Sequence, residues 1–193
     1  AFESDDIGAA YVYDLSPTWV ATNGGAYDDA GNWNGLTPDF DPGFDVKINP
    51  DAGDQVVTGP AGVSEVARLE LGRGAGLVTL DMGQSGLIVA SDGVQIGAGG
   101  MLNGAGLALG RVVGAGDVTN AGSAELAALG LDGDVANAGT LDGPGAVAGD
   151  LGNAAGGRVQ VAEGGTLGVG GDLRNAGTVA TAARTTLDVG GTV

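Results

Sequence analysis

The sequence predicts an all-β fold: a right-handed parallel β-solenoid with an aromatic, acidic cap region at its N-terminal end. Three observations predict it. A seven-residue phrase, Gly-Asp-(Val/Leu)-x-Asn-Ala-(Gly/Ala), occupies residues 116–122, 133–139, 149–155 and 171–177. Its copies start 17, 16 and 22 residues apart. That period marks a stacked, quasi-one-dimensional architecture in which each coil buries its apolar face against its neighbours. Apolar pairs at i and i+2 recur between glycines, as strands demand and helices do not. Finally, all eight aromatic residues lie in the first 44 positions, so the head differs chemically from the body.

The head comprises residues 1–54, an N-terminal strand followed by the aromatic and acidic cap. It holds eleven acids against the single Lys47. In residues 7–15 a period of two places Ile7, Ala9, Tyr11, Tyr13 and Leu15 on one face of an extended strand. Residues 16–44 are rich in Gly, Asn, Asp and Pro and read as turns around Trp19 and Trp33. Phe44 to Ile48 is a short strand closed by Asn49-Pro50.

The body comprises residues 55–193, a Gly-rich solenoid of about seven coils at roughly 18–20 residues each. Its strand pairs include Leu69/Leu71, Leu87/Val89, Val94/Ile96, Leu107/Leu109, Leu129/Leu131, Val159/Val161, Leu167/Val169 and Leu187/Val189. Gly suits the corners because it tolerates positive φ. Asn suits them too, and stacked Asn side chains form amide ladders.

Composition excludes several function classes. The formal charge is −17, from 24 acidic and 7 basic residues, with no His and no Cys. Nucleic-acid binding needs clustered Lys and Arg and is disfavoured. Disulfides, thiol chemistry and triads built on His or Cys are impossible. No apolar run approaches the roughly 18–20 residues of a membrane span. Gly and Pro number 41 and 6, near the level of low-complexity chains, but the ordered alternation of apolar residues argues for folding. The sequence starts at Ala1 without a basic or apolar leader, so it reads as a chain whose signal peptide has been removed, or as a piece of a longer one.

Trp19, Asn32-Trp33, Pro38, the stretch Asp45 to Ile48, and the turns Asn137-Ala138-Gly139-Thr140 and Asn175-Ala176-Gly177-Thr178 together resemble the passenger segments of bacterial autotransporters and related surface β-helices. The resemblance implies a secreted or cell-surface location. These 193 residues contain no aromatic-rich membrane-barrel segment, and they remain coil-like to Val193.

Three sets of residues are candidates for function. Asp39, Asp41 and Asp45 stand close together on a turn, and such oxygen clusters can hold calcium. The alternative is a solvated loop whose Asp residues form turns. Trp19, Tyr27 and Trp33 offer rings for stacking on glycans, or form the core of the cap. Ile7, Tyr11, Tyr13 and Leu15 make an apolar strand for self-assembly on an open end near Val193. The repeated Asp117, Asp134, Asp150 and Asp172 lack the spacing of calcium-binding β-rolls and read as one solvent-facing acid per coil.

The expected function is an exported structural rod or filament subunit that is not an enzyme, with copies of itself as partners and no cofactor beyond possible calcium. The alternatives are an adhesin that binds cell-surface glycans and a carbohydrate-active β-helix enzyme. For an enzyme, paired carboxylates or a basic residue beside a calcium cluster are expected, whereas acids such as Glu65, Glu70, Asp81, Glu125 and Glu163 are isolated in the body and its arginines are scattered.

Overall fold

The structure is a computed structural model and describes residues 16–38, 41–83, 86–89, 93–104, 111–114, 117–125 and 129–193. The chain is an all-β parallel solenoid with no α-helix among the described residues. Strands are numbered in chain order.

The first face is a seven-stranded sheet of β2 (Asp45–Ile48), β5 (Arg68–Leu71), β8 (Val94–Ile96), β11 (Val118–Asn120), β14 (Val135–Asn137), β17 (Leu151–Asn153) and β20 (Leu173–Asn175). The second is an eight-stranded sheet of β1 (Gly25–Ala26), β3 (Asp54–Thr58), β6 (Leu77–Asp81), β9 (Gly100–Asn103), β12 (Ser123–Glu125), β15 (Thr140–Asp142), β18 (Arg158–Val161) and β21 (Thr178–Thr181). The third face is two sheets in succession. One holds β4 (Val63–Val66), β7 (Gly86–Val89), β10 (Arg111–Gly114) and β13 (Leu129–Leu131); the other holds β16 (Gly145–Val147), β19 (Thr166–Val169) and β22 (Thr186–Val189). Every pairing between these strands is parallel. Six steps between the seven strands of the first face, at ~4.8 Å each, give a stack about 29 Å long.

The stack starts at Asp45, inside the stretch assigned to the head. Its coils begin at residues 45, 68, 94, 118, 135, 151 and 173, so coil length varies while the three-faced section is kept.

The core is a set of straight columns. Val46, Leu69, Val94, Val118, Val135, Leu151 and Leu173 lie in direct register on the first face, all buried. Val57, Leu80, Leu102, Ala124, Leu141 and Val159 do the same on the second. Alternation along each strand puts these side chains inside and their neighbours outside. Of the expected pairs, Leu69/Leu71, Leu87/Val89, Val94/Ile96, Val159/Val161 and Leu167/Val169 are buried. Leu187 of the last coil is 40% exposed. Leu107 and Leu109 lie outside the described residues.

Candidate functional site

The repeated phrase is built into the solenoid residue by residue. Its Asp carboxylates form a ladder along one corner. Asp117 Oδ1 accepts the N–H of Asp134 at 2.9 Å, Asp134 Oδ1 that of Asp150 at 2.8 Å, and Asp150 Oδ1 that of Asp172 at 2.8 Å. Asp172 Oδ1 accepts the N–H of Thr192 at 2.9 Å. Asp150 and Asp172 are half-buried, whereas Asp117 and Asp134 face solvent, as expected. They also satisfy a backbone donor in the next coil, a role that their side chains' exposure conceals. The hydrogen bonds to Thr192 hold the Asp172 carboxyl below its ordinary range, with Arg174 helping and desolvation opposing. The Arg174 guanidinium bridges Asp150 Oδ2 and Asp172 Oδ2, each at 3.0 Å.

The phrase's first Gly makes room for this ladder. A Cβ at Gly171 would fall on Asp150 Oδ1, and one at Gly149 on Asp134 Oδ1. Its last Gly lets adjacent corners touch: a Cβ at Gly139 would fall on the Gly122 backbone.

The Asn residues form a second ladder at the next corner. Asn120 Nδ2 donates to Asn137 Oδ1 at 2.8 Å, Asn137 Nδ2 to Asn153 Oδ1 at 2.8 Å, and Asn153 Nδ2 to Asn175 Oδ1 at 2.7 Å. The first three are buried. They continue the column Ile48, Leu71, Ile96, so an aliphatic row changes to amides at Asn120. The change coincides with a tighter corner. Five, five and three residues follow Ile48, Leu71 and Ile96 before the next strand, against two after Asn120, Asn137 and Asn175, though four follow Asn153. Asn120 Oδ1 accepts the Gly122 N–H at 3.2 Å, and Asn137 Nδ2 donates to the Gly139 carbonyl at 3.2 Å. Isoleucine offers no partner for such inward-facing peptide groups.

The head covers two faces of the first coil. Residues 17–19 add to β2 through Lys47 N to the Pro17 carbonyl, 2.9 Å, and Trp19 N to the Lys47 carbonyl, 2.8 Å. β1 adds to β3. Trp19 and Trp33 meet edge to face with centroids 5.1 Å apart, and Tyr27 meets Trp33 at 5.3 Å. All three are buried, at 3%, 3% and 0% exposure for Trp19, Trp33 and Tyr27. Their ring faces are therefore occupied by protein rather than presented to a glycan. Trp33 Nε1 donates to the Tyr27 carbonyl at 2.6 Å, and Trp19 Nε1 to Gln55 Oε1 at 2.8 Å. This explains why Gln55 is buried while its neighbour Val56 points outward.

Of the calcium candidates, Asp39 lies outside the described residues. Asp41 Oδ1 accepts the Gly43 N–H at 2.8 Å, a turn-forming contact, and Asp45 lies 3.8 Å from Arg68 Nη1. Among the described residues no group of three acids is gathered to hold a metal. Of the self-assembly candidates, Ile7, Tyr11, Tyr13 and Leu15 lie outside the described residues, while Val193 is 88% exposed. No described helix is long and apolar enough to cross a membrane, which does not bear on crossing by strands.

Compared with known proteins, the chain matches no family model, no curated protein and no solved structure.

Proposed function

We propose that the protein is an exported structural rod, secreted or displayed at a cell surface, that assembles head to tail with copies of itself. One observation carries this reading. The far edges of β20, β21 and β22 have no strand neighbour among the described residues, while the ladders that stack each coil run up to them. Thr192 already sits on Asp172 and accepts the Leu173 N–H, in the same register that each coil offers the next. Such an edge templates strand addition. The incoming strand is residues 7–15 of a second molecule, whose Ile7, Tyr11, Tyr13 and Leu15 supply an apolar face. A heterologous contact of this kind does not close and propagates a filament. The resemblance to autotransporter passengers supports the exported location. The charge of −17 opposes disordered clumping.

The test is negative-stain microscopy and sedimentation of the 193-residue chain with and without residues 1–15. Filaments that vanish on deletion, with circular dichroism and melting of the body unchanged, support the proposal. An intact chain that stays monomeric at high concentration and physiological salt overturns it.

A further inference from the structure

The outward side of the eight-stranded sheet carries a trough that the axial contact leaves untouched. Val56, Thr79, Met101, Ser123 and Thr140 stand in one row in direct register, one per coil. Leu77 stands beside this row, opposite Asp54. The recess holds about 540 Å³, and its lining includes Gly99, Gly100, Ala121, Gly122 and Gly139, which have little or no side chain. Val56, Leu77 and Met101 are 55%, 56% and 41% exposed. They are three of the seven large apolar side chains exposed among the described residues, gathered in one place.

Charge borders the trough on both sides. Asp54 flanks it on one side, and the parallel outward row contains Asp81, Glu125 and Asp142. Asp81, Glu125 and Asp142 accept the backbone N–H groups of Gly83, Gly104 and Gly143. None of these four acids takes part in an ion pair among the described residues. Arg158, the one cation on the described part of this face, bonds Gln160.

We propose that this trough binds a short extended segment of a basic, amphipathic polypeptide. Apolar side chains fill the recess beside Val56, Leu77 and Met101, and Lys or Arg stems reach sideways to the bordering carboxylates. A second copy docking side-on would set its carboxylates against these, whereas a cationic segment is drawn in. The recess crosses the five strands from β3 to β15, about 19 Å at ~4.8 Å per step, which an extended chain covers in about six residues.

A fluorescent octapeptide of alternating Lys and Leu is titrated against the full chain by anisotropy, beside one of alternating Lys and Ser. The Lys-Leu peptide is expected to bind at least about tenfold tighter. The double substitution Leu77→Ser with Met101→Ser should remove that advantage. These sites are exposed, so melting should change little. A second variant, Asp81→Asn with Glu125→Gln and Asp142→Asn, should weaken binding and flatten its salt dependence. Equal binding of the two peptides would show attraction to net charge alone and overturn the proposal. So would Lys-Leu binding that neither variant alters, or no Lys-Leu binding at all.

Discussion

Asp172 and Thr192, twenty residues apart, are joined by a 2.9 Å hydrogen bond from the Thr192 backbone to the Asp172 carboxylate. This is the last rung of a ladder that starts at Asp117. Each rung lets a side chain of one coil fix the backbone of the next.

The first prediction concerns acid. The Asp172 pKa is lowered in the fold, chiefly by the hydrogen bonds to Thr192. A carboxyl depressed in the folded state stabilises it above the unfolded pKa and loses that contribution as pH falls through the folded pKa. The melting temperature should therefore drop as pH falls below about 4. In Asp172→Asn the drop should be smaller, because that carboxyl no longer titrates. Thermal melts from neutral to acidic pH compare the two proteins.

The second concerns the amide ladder. Asn137 is buried and bonds both Asn120 and Asn153. Asn137→Leu strands the Asn153 carbonyl and loses the corner bond to Gly139. The expected cost is about 1–3 kcal/mol for each buried group left unpaired. Asn137→Asp should be worse, because an ionised carboxylate cannot donate to Asn153. Urea denaturation midpoints rank the variants.

The third separates two kinds of glycine. Gly139→Ala drives a methyl onto the Gly122 backbone and should destabilise by about 1–3 kcal/mol. Gly62 has open space around its Cβ position and no positive φ. Gly62→Ala should fall within about 0.5 kcal/mol of the parent. Equal midpoints for the two variants would contradict the close-packed corner.

The fourth concerns calcium. Asp45 lies beside Arg68, and Asp41 is engaged by Gly43. Melting curves in excess calcium and in chelator should coincide. A rise in calcium that chelation reverses would reveal a native-state site, since a ligand bound only by the folded form stabilises it.

Much of the solenoid was legible because its signals are local. Leu/Val pairs two apart gave the strands, and Asn-Ala-Gly gave the tight corners. The stacked amides expected at one corner run from Asn120 to Asn175. The Asp ladder was hidden because its partner is a backbone N–H one coil away, which leaves no trace in residue type. The trough was hidden for another reason. In Gln55-Val56-Val57-Thr58 either parity of alternation is plausible, and a slip of one reverses the faces. The Trp19 indole settles it by drawing Gln55 inward, which turns Val56 out. That contact spans 36 residues and cannot be read from a window of strand length. Where each coil begins was also only partly legible, since the phrase marks just four of the seven.

The uneven coils have a consequence for growth. Coil starts are separated by as few as 16 and as many as 26 residues, yet each coil adds one strand to the first face. Extra residues therefore lengthen strands and corners within a coil, as in β3 (Asp54–Thr58) against β15 (Thr140–Asp142), and the rod lengthens only when a coil is added. The molecule works as a ruler graduated in coils. Deleting residues at a corner should leave its length unchanged, while duplicating the stretch from Val118 to Asp134 should extend it by one step of ~4.8 Å.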